Sequence, residues 1–404
     1  MYSKRVQSIL KKKNIKPGCM VEVRTDQETI RGVLMPRPMF GDSSILIIKI
    51  ENGYNIGVKS FKSIKRLSCK SRRKSMSVKQ KLKSPKITII STGGTVLSRV
   101  DYTTGGVVPI TKPEELLAEV PELVDIASIR IVNLLSKFSE NITPKDWQLI
   151  AKEIYKQIPK SDGIVVLHGT DTLSYTSAAL SFMLQDLPVP VILTGAQRSS
   201  DRPSTDAVMN IICSVKAATL DISGVYVCMH ATMSDDYCYL HNAARVRKCH
   251  TSRRDAFKSD RPLAKISLNS VEFLETLPKR KSVKPKLCSD LDTKIQVVYV
   301  HPGAELKIDK DSHALVLIGT GLGHVPESWI QKLKRYKKPI VITSQCVHGR
   351  INLNVYSTGR LLQSIGVHGH LIDALPETMI VKTMWALGQG DINLIYKNIA
   401  GEIA

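Results

Sequence analysis

The chain has 404 residues, 43% of them hydrophobic, and a formal net charge of +22, more sequence than one packed domain normally holds. No apolar run approaches the roughly 18–20 residues that span a bilayer, and the basic start MYSKRVQSILKKKNIKPG lacks the apolar stretch of a secretory signal, so no membrane partner and a cytoplasmic location are expected. Eight cysteines stand singly, with no CxxC pair, the pattern of reduced thiols rather than of disulfides or a zinc site.

The charge is concentrated at the beginning. Residues 1–85 hold 21 Lys and Arg against 5 Asp and Glu, leaving a net +6 to the other 319 residues. A polyanion docking at this end is one reading, because each neutralised phosphate releases counterions; a solvated, solubilising tail is the other. Few aromatics accompany the charge, so stacking on single-stranded bases is not suggested. Residues 20–67 contain the short β-branched runs MVEVRTD, TIRGVLMPRP, SSILIIKI and YNIGV, with an Asn-Gly turn in ENGY. That many short strands bury a core by closing into a barrel, which places a small basic all-β domain over residues 1–70. The polar, basic stretch over 71–85 reads as a linker.

From Lys86 apolar runs alternate with helical segments, and each run ends in a polar turn. The pairs are ITII before STGGT, GIVVL before HGTDT, VPVILT before GAQRSS and GVYVCM before HATMS. ALVLI before GTGLG and PIVIT before SQCVHGR follow. Apolar strands without alternation indicate a sheet buried on both faces, hence parallel strands with helices outside. Such sheets bind ligands beyond the strands' C-terminal ends, where these polar turns sit. A Lys/Pro-rich stretch, 277–294, divides this α/β region into domains over 86–276 and 295–404.

The turn STGGTVLS satisfies neither GxGxxG nor GxxxxGK[ST]. Glycine explains a tight backbone at Gly93 and Gly94, but not the threonines that bracket them. In HGTDT, Thr170 and Asp171 precede a helix; they read either as an N-cap or as chemistry. Lys248, in RVRKCHTSRRDAF, is either one more surface base or, near a hydroxyl and a carboxylate, part of a Thr–Lys–Asp relay. His168, His324, His348, His368 and His370 lie scattered through turns, and zinc would want a tighter grouping. No metal is expected.

Together the motifs TGGT, HGTDT, TGAQR, RVRKCHTSRRDAF, GTGLGHVP and TSQCVHGRINLNVYSTGR make residues 86–404 resemble the L-asparaginase/glutaminase family of threonine amidohydrolases. The resemblance implies a two-domain parallel-sheet α/β fold and, by matching positions, Thr95 as nucleophile with Tyr102 assisting. It implies Thr170, Asp171 and Lys248 as the second catalytic set, and Ser139 with Glu140, in SENITPKDW, as the grip on the substrate's α-carboxylate. An amide carbon needs a nucleophile, an acceptor for the hydroxyl proton and donors for the oxyanion. A threonine hydroxyl is weak unaided, so Lys248 must be at least partly neutral or act through Thr170. Asp171 fits the substrate's α-ammonium.

Plain asparaginases do not need the basic barrel. With it, the whole chain resembles the D-subunit family of archaeal glutamyl-tRNA(Gln) amidotransferases, and TGAQRSSDRPSTDA points there in particular. That resemblance implies glutamine or asparagine as amide donor and ammonia passed to a partner, the amidotransferase E-subunit. The partner would use ATP and Mg2+ to convert Glu-tRNA(Gln) to Gln-tRNA(Gln), with no cofactor in this chain. It also implies a homodimer within a heterotetramer. A stand-alone cytosolic asparaginase, or a tRNA-binding scaffold with a dead amidohydrolase site, are the alternatives.

Overall fold

The computed structural model describes residues 2–36, 42–51, 54–69, 85–93, 98–100, 107–109, 113–198 and 204–404. The chain opens with a helix not among the expected elements, α1 (Lys4–Lys12). Its lysines mask two apolar residues, Val6 and Leu10, whose i,i+4 spacing puts both on the buried face. Strands β1 (Cys19–Arg24), β2 (Thr29–Leu34), β3 (Leu46–Lys49), β4 (Asn55–Val58) and β5 (Ser63–Cys69) follow. They form one antiparallel sheet in the order β4-β3-β2-β1-β5. Val58 from one edge and Ile64 from the other meet Leu10, Val21, Leu34 and Ile48 in a single core. Among the described residues, side-chain packing around α1 rather than a backbone ladder joins the two edges. The Asn-Gly turn and the linker lie outside the described residues.

The cysteine expectation fails in this unit. Cys19 is disulfide-bonded, and its register partner across β1 and β5 is Cys69. Fifty residues of separation hide that juxtaposition. Cys213, Cys228, Cys238, Cys249, Cys288 and Cys346 are free.

Eight strands make the large sheet: β6 (Lys86–Ser91), β7 (Ser128–Asn133), β8 (Gly163–Leu167), β9 (Pro190–Thr194), β10 (Gly224–His230), β11 (Cys238–Asn242), β12 (Ala264–Ile266) and β13 (Val271–Phe273). Their order is β13-β12-β11-β10-β9-β8-β6-β7. The five strands β7, β6, β8, β9 and β10 are parallel, as the unbroken apolar runs require. The last three extend the sheet antiparallel. After β6 the chain first builds β7 on one side, then crosses to build β8 on the other. The order therefore reverses between β6 and β8, and that switch point opens a crevice at the strands' C-terminal ends.

Helices α2 (Pro144–Gln157) and α3 (Leu173–Met183) cover one face, and α4 (Ala207–Thr219) the other. A second, three-stranded parallel sheet comprises β14 (Ile295–Tyr299), β15 (Ala314–Gly319) and β16 (Ile340–Ser344). Helix α5 (Pro376–Gly388) joins the two regions by packing on α3, with the rings of Phe182 and Trp385 5.9 Å apart. Almost every residue of α3 is buried as a result. Among the described residues no helix is long and apolar enough to cross a membrane.

Beneath α5 the C-terminal segment is tied down by a fully buried charge pair. Lys382 Nζ donates to the carbonyls of Ile395 (2.8 Å) and Lys397 (2.6 Å) and to the Glu402 carboxylate. Burial pulls the Lys382 pKa down, opposed by Glu402. Glu402 in turn accepts from the backbone N–H groups of Ile399 and Ala400. Removing one partner strands the other in a dry interior, which costs about 3–5 kcal/mol, whereas an apolar replacement of both is close to neutral. Glu402→Ala should therefore lower the chemical-unfolding free energy by about that much, and Lys382→Met with Glu402→Leu should restore most of it. Equal losses in the single and double variants would contradict this account.

Candidate active site

Three turns meet beyond the switch point because their strands are neighbours. Thr92, after β6, donates through Oγ1 and N to the carbonyl of Leu167 at the end of β8 (2.9 and 3.1 Å). Gly93 follows with φ +109°, and a Cβ there would stand 2.3 Å from the Lys137 carbonyl oxygen. Only glycine lets this first turn lie so close to the segment carrying Ser139. Gly169, in the second turn, would bring a Cβ within 2.7 Å of Ser139 Cβ, and Gly195, in the third, within 2.8 Å of Thr170 Cγ2. The glycines are close-approach positions, not a phosphate cradle.

Thr170 and Asp171 do not cap α3. The N-cap residue is Thr172, and its hydroxyl donates to the Ser139 carbonyl instead (2.7 Å). Lys248 claims the other two: Nζ donates to Thr170 Oγ1 at 2.9 Å and to Asp171 Oδ1 at 2.7 Å. The lysine side chain is 14% exposed and the aspartate 65%, so Asp171 keeps an open carboxylate edge toward solvent. Lys248 lies on the short strand Arg247–Lys248, paired with Phe257–Lys258. Arg247 points the other way, to Glu377 on α5 (2.9 Å). Arg245 reaches Asp373 (3.0 Å) and the Glu402 carbonyl (2.9 Å). The segment bearing the amine is thus held from behind by α5 and the C-terminal tail.

Ser139 is buried in the same cluster, whereas Glu140 beside it is exposed. Their loop is anchored by Asp146, which accepts from Lys137 Nζ, Thr143 Oγ1 and Thr143 N at 2.7–2.9 Å. Those hydrogen bonds outweigh burial and hold the Asp146 carboxyl below the ordinary range, although burial itself is the largest single influence. Thr95 and Tyr102 lie outside the described residues. The first turn is described as far as Gly93, one strand away from Thr170. A hairpin, Ser98–Val100 against Val107–Pro109, flanks the segment that includes Tyr102. Among the described residues no three His, Cys, Asp or Glu side chains are grouped to hold a metal.

One participant escapes the sequence. His168 is fully buried, and burial drops its pKa to about 4, so the ring is neutral at pH 7. Trp147 Nε1 can only donate, and does so to Thr176 Oγ1 (3.0 Å). Thr176 therefore gives its proton to His168 Nε2 (2.9 Å), leaving Nδ1–H for the Gly169 carbonyl (2.7 Å). This chain of hydrogen bonds fixes the peptide next to Thr170. Nothing in the spacing of Trp147, His168 and Thr176 announces it.

The Asparaginase, N-terminal family model matches residues 86–279, the Glutaminase/Asparaginase C-terminal domain model residues 294–396, and the GatD N-terminal domain model residues 15–65. Over 99% of its length the chain is 45% identical to the glutamyl-tRNA(Gln) amidotransferase D-subunit of Pyrococcus horikoshii, covering 97% of that protein. The chain belongs to this D-subunit family. The D-subunit of Methanothermobacter thermautotrophicus is 43% identical over the full chain, with 97% of it covered. Solved structures place the same fold on L-asparaginases. The thermostable enzyme from Thermococcus kodakarensis is 28% identical, with a TM-score of 0.70 over 79% of this chain and 99% of that one. L-asparaginase I from Vibrio cholerae gives 27% and 0.67, over 80% and 99%. The difference in coverage between the D-subunit relatives and the asparaginases matches the length of the N-terminal unit.

The neutral His168 has a measurable consequence. Its folded pKa lies below the unfolded value of about 6.5, so its contribution is present above pH 6.5 and fades as pH falls toward 4. Between pH 7.5 and 5 this group should remove about 2 kcal/mol of unfolding free energy. His168→Asn, which can still donate to the Gly169 carbonyl, should lose about that much less over the same interval in urea titrations; an unchanged acid slope would contradict the assignment.

Proposed function

We propose that the chain is the ammonia-generating subunit of a tRNA-dependent amidotransferase. The observation that carries this reading is Lys248 Nζ hydrogen-bonded at once to Thr170 and Asp171, in the turn beside the one described as far as Gly93; Thr95 is two residues on in the sequence. Thr95 Oγ attacks the side-chain carboxamide carbon of glutamine or asparagine. Its proton passes to Thr170, whose own proton goes on to Lys248 Nζ. The tetrahedral oxyanion is met by backbone N–H groups of the turns. Collapse of that intermediate breaks the C–N bond, and the departing nitrogen takes up the proton and leaves as ammonia. Water then hydrolyses the acyl-Thr95 ester, releasing glutamate or aspartate and restoring the hydroxyl.

Tyr102 assists Thr95 by hydrogen bonding, Ser139 and Glu140 grip the α-carboxylate end, and the open edge of Asp171 binds the α-ammonium. The relatives' name supports coupling to Glu-tRNA(Gln) through a partner, the E-subunit, which would supply the ATP- and Mg2+-dependent step in the cytoplasm. The likeness to L-asparaginases favours one other reading, partner-independent amide hydrolysis.

Thr95→Ala should abolish glutamine-dependent transamidation in the reconstituted complex, by roughly a thousandfold or more. Free ammonium should restore product, because the partner's chemistry remains intact. Glutamine-dependent product at the wild-type rate from the variant would overturn the mechanism. Full-rate ammonia release by the chain alone, unchanged by partner or charged tRNA, would favour the asparaginase reading.

A further inference from the structure

The N-terminal unit carries a cationic face that the amide chemistry does not use. Arg66, on edge strand β5, donates from Nη1 to the Asn14 carbonyl (3.2 Å) just past α1. This bond brings the end of α1 against the edge of the sheet. Lys11, Lys12 and Lys13 at the helix end, Lys16 in the following turn, and Arg66 on β5 are all exposed. Among the described residues none of the five on this side is ion-paired with a carboxylate. The acids nearby serve other cations: Glu22 takes Arg31 and Arg24, and Asp26 takes Lys62. The Arg31 hydrogen bond, foremost, holds the Glu22 carboxyl below its usual range.

From this arrangement we infer that the α1–β5 face binds the phosphate backbone of a folded RNA. A membrane surface fits poorly, because the apolar side of α1, Val6 and Leu10, is spent in the core and cannot insert. An acidic protein fits poorly as well. Protein interfaces are anchored by clustered aromatic and apolar side chains, and here Leu67 is the one large apolar side chain exposed on β5. Among the described residues no aromatic accompanies the five cations, so the contact is to phosphates rather than to stacked bases. The inference deepens the tRNA-coupled reading above, yet its test is blind to amide hydrolysis, so either can fail alone.

The probe is a fluorescent, unmodified tRNA transcript titrated with the full-length chain at salt concentrations from about 50 to 200 mM. The patch variant is Lys12→Glu, Lys13→Glu, Lys16→Glu and Arg66→Glu; the control, of equal charge change, is Lys307→Glu, Lys310→Glu, Lys334→Glu and Lys337→Glu. The patch variant should bind roughly tenfold or more weakly, and its slope of log K against log salt should fall by about 3, four phosphate contacts being lost. The control should keep the wild-type slope. Amide hydrolysis should be unchanged in both. Should charge reversal unfold the N-terminal unit by circular dichroism, the four Lys/Arg→Gln substitutions replace it, with the same slope change expected. Equal losses in patch and control variants, or an unchanged slope in the patch variant, would overturn the inference. So would RNA binding that survives while the patch variant loses affinity for phosphatidylserine vesicles or polyglutamate.

Discussion

The turns at the sheet's switch point depend on one side chain, Lys248, that two separate parts of the chain hold in place. Lys248 Nζ reaches Thr170 and Asp171 only if the strand Arg247–Lys248 is held at a fixed height above the turn that ends β8. The turn is fixed from below by the His168–Thr176–Trp147 chain of hydrogen bonds. The strand is fixed from behind by Arg247 to Glu377 and Arg245 to Asp373. Those two acids belong to the C-terminal region, whose own tail is locked by Lys382 and Glu402. Among the described residues the second domain thus braces the segment that carries the amine. Proton transfer tolerates little misplacement, which makes such remote bracing chemically relevant.

Much of this was legible in the sequence, for definite reasons. Unbroken apolar runs such as GIVVL can only be buried on both faces, so parallel strands with polar turns at their C-terminal ends followed directly. The reading of Gly93 as a backbone device holds, since it lies against the Lys137 peptide, and the structure adds two close approaches not read from the sequence, Gly169 to the Ser139 side chain and Gly195 to Thr170. The N-cap alternative for Thr170 and Asp171 could be settled only by seeing Thr172 take the cap position.

What stayed hidden has a common cause. Helix α1 was obscured because four charged residues in a nine-residue segment mask its apolar side. The role of His168 depends on partners 21 residues before it, at Trp147, and on burial that no local pattern reveals. The Lys382–Glu402 pair and the disulfide at Cys19 likewise join positions brought together only by the fold. Two of the three antiparallel strands that extend the large sheet, β12 and β13, have only three residues, and β13 is mostly exposed, so their apolar signal is weak. Local pattern specifies elements; long-range polar pairing does not show in it.

The central claim is that this bracing presents Lys248 and Thr170 to a threonine nucleophile at the end of the first turn. Its most direct test is to treat the full-length chain with a diazoketone analogue of glutamine and map the adduct by mass spectrometry. One covalent adduct on Thr95 is expected, prevented by excess glutamine or asparagine and slowed in Lys248→Met. Inactivation accompanied by an adduct elsewhere, for instance on exposed Cys249, with Thr95 unmodified, would contradict it.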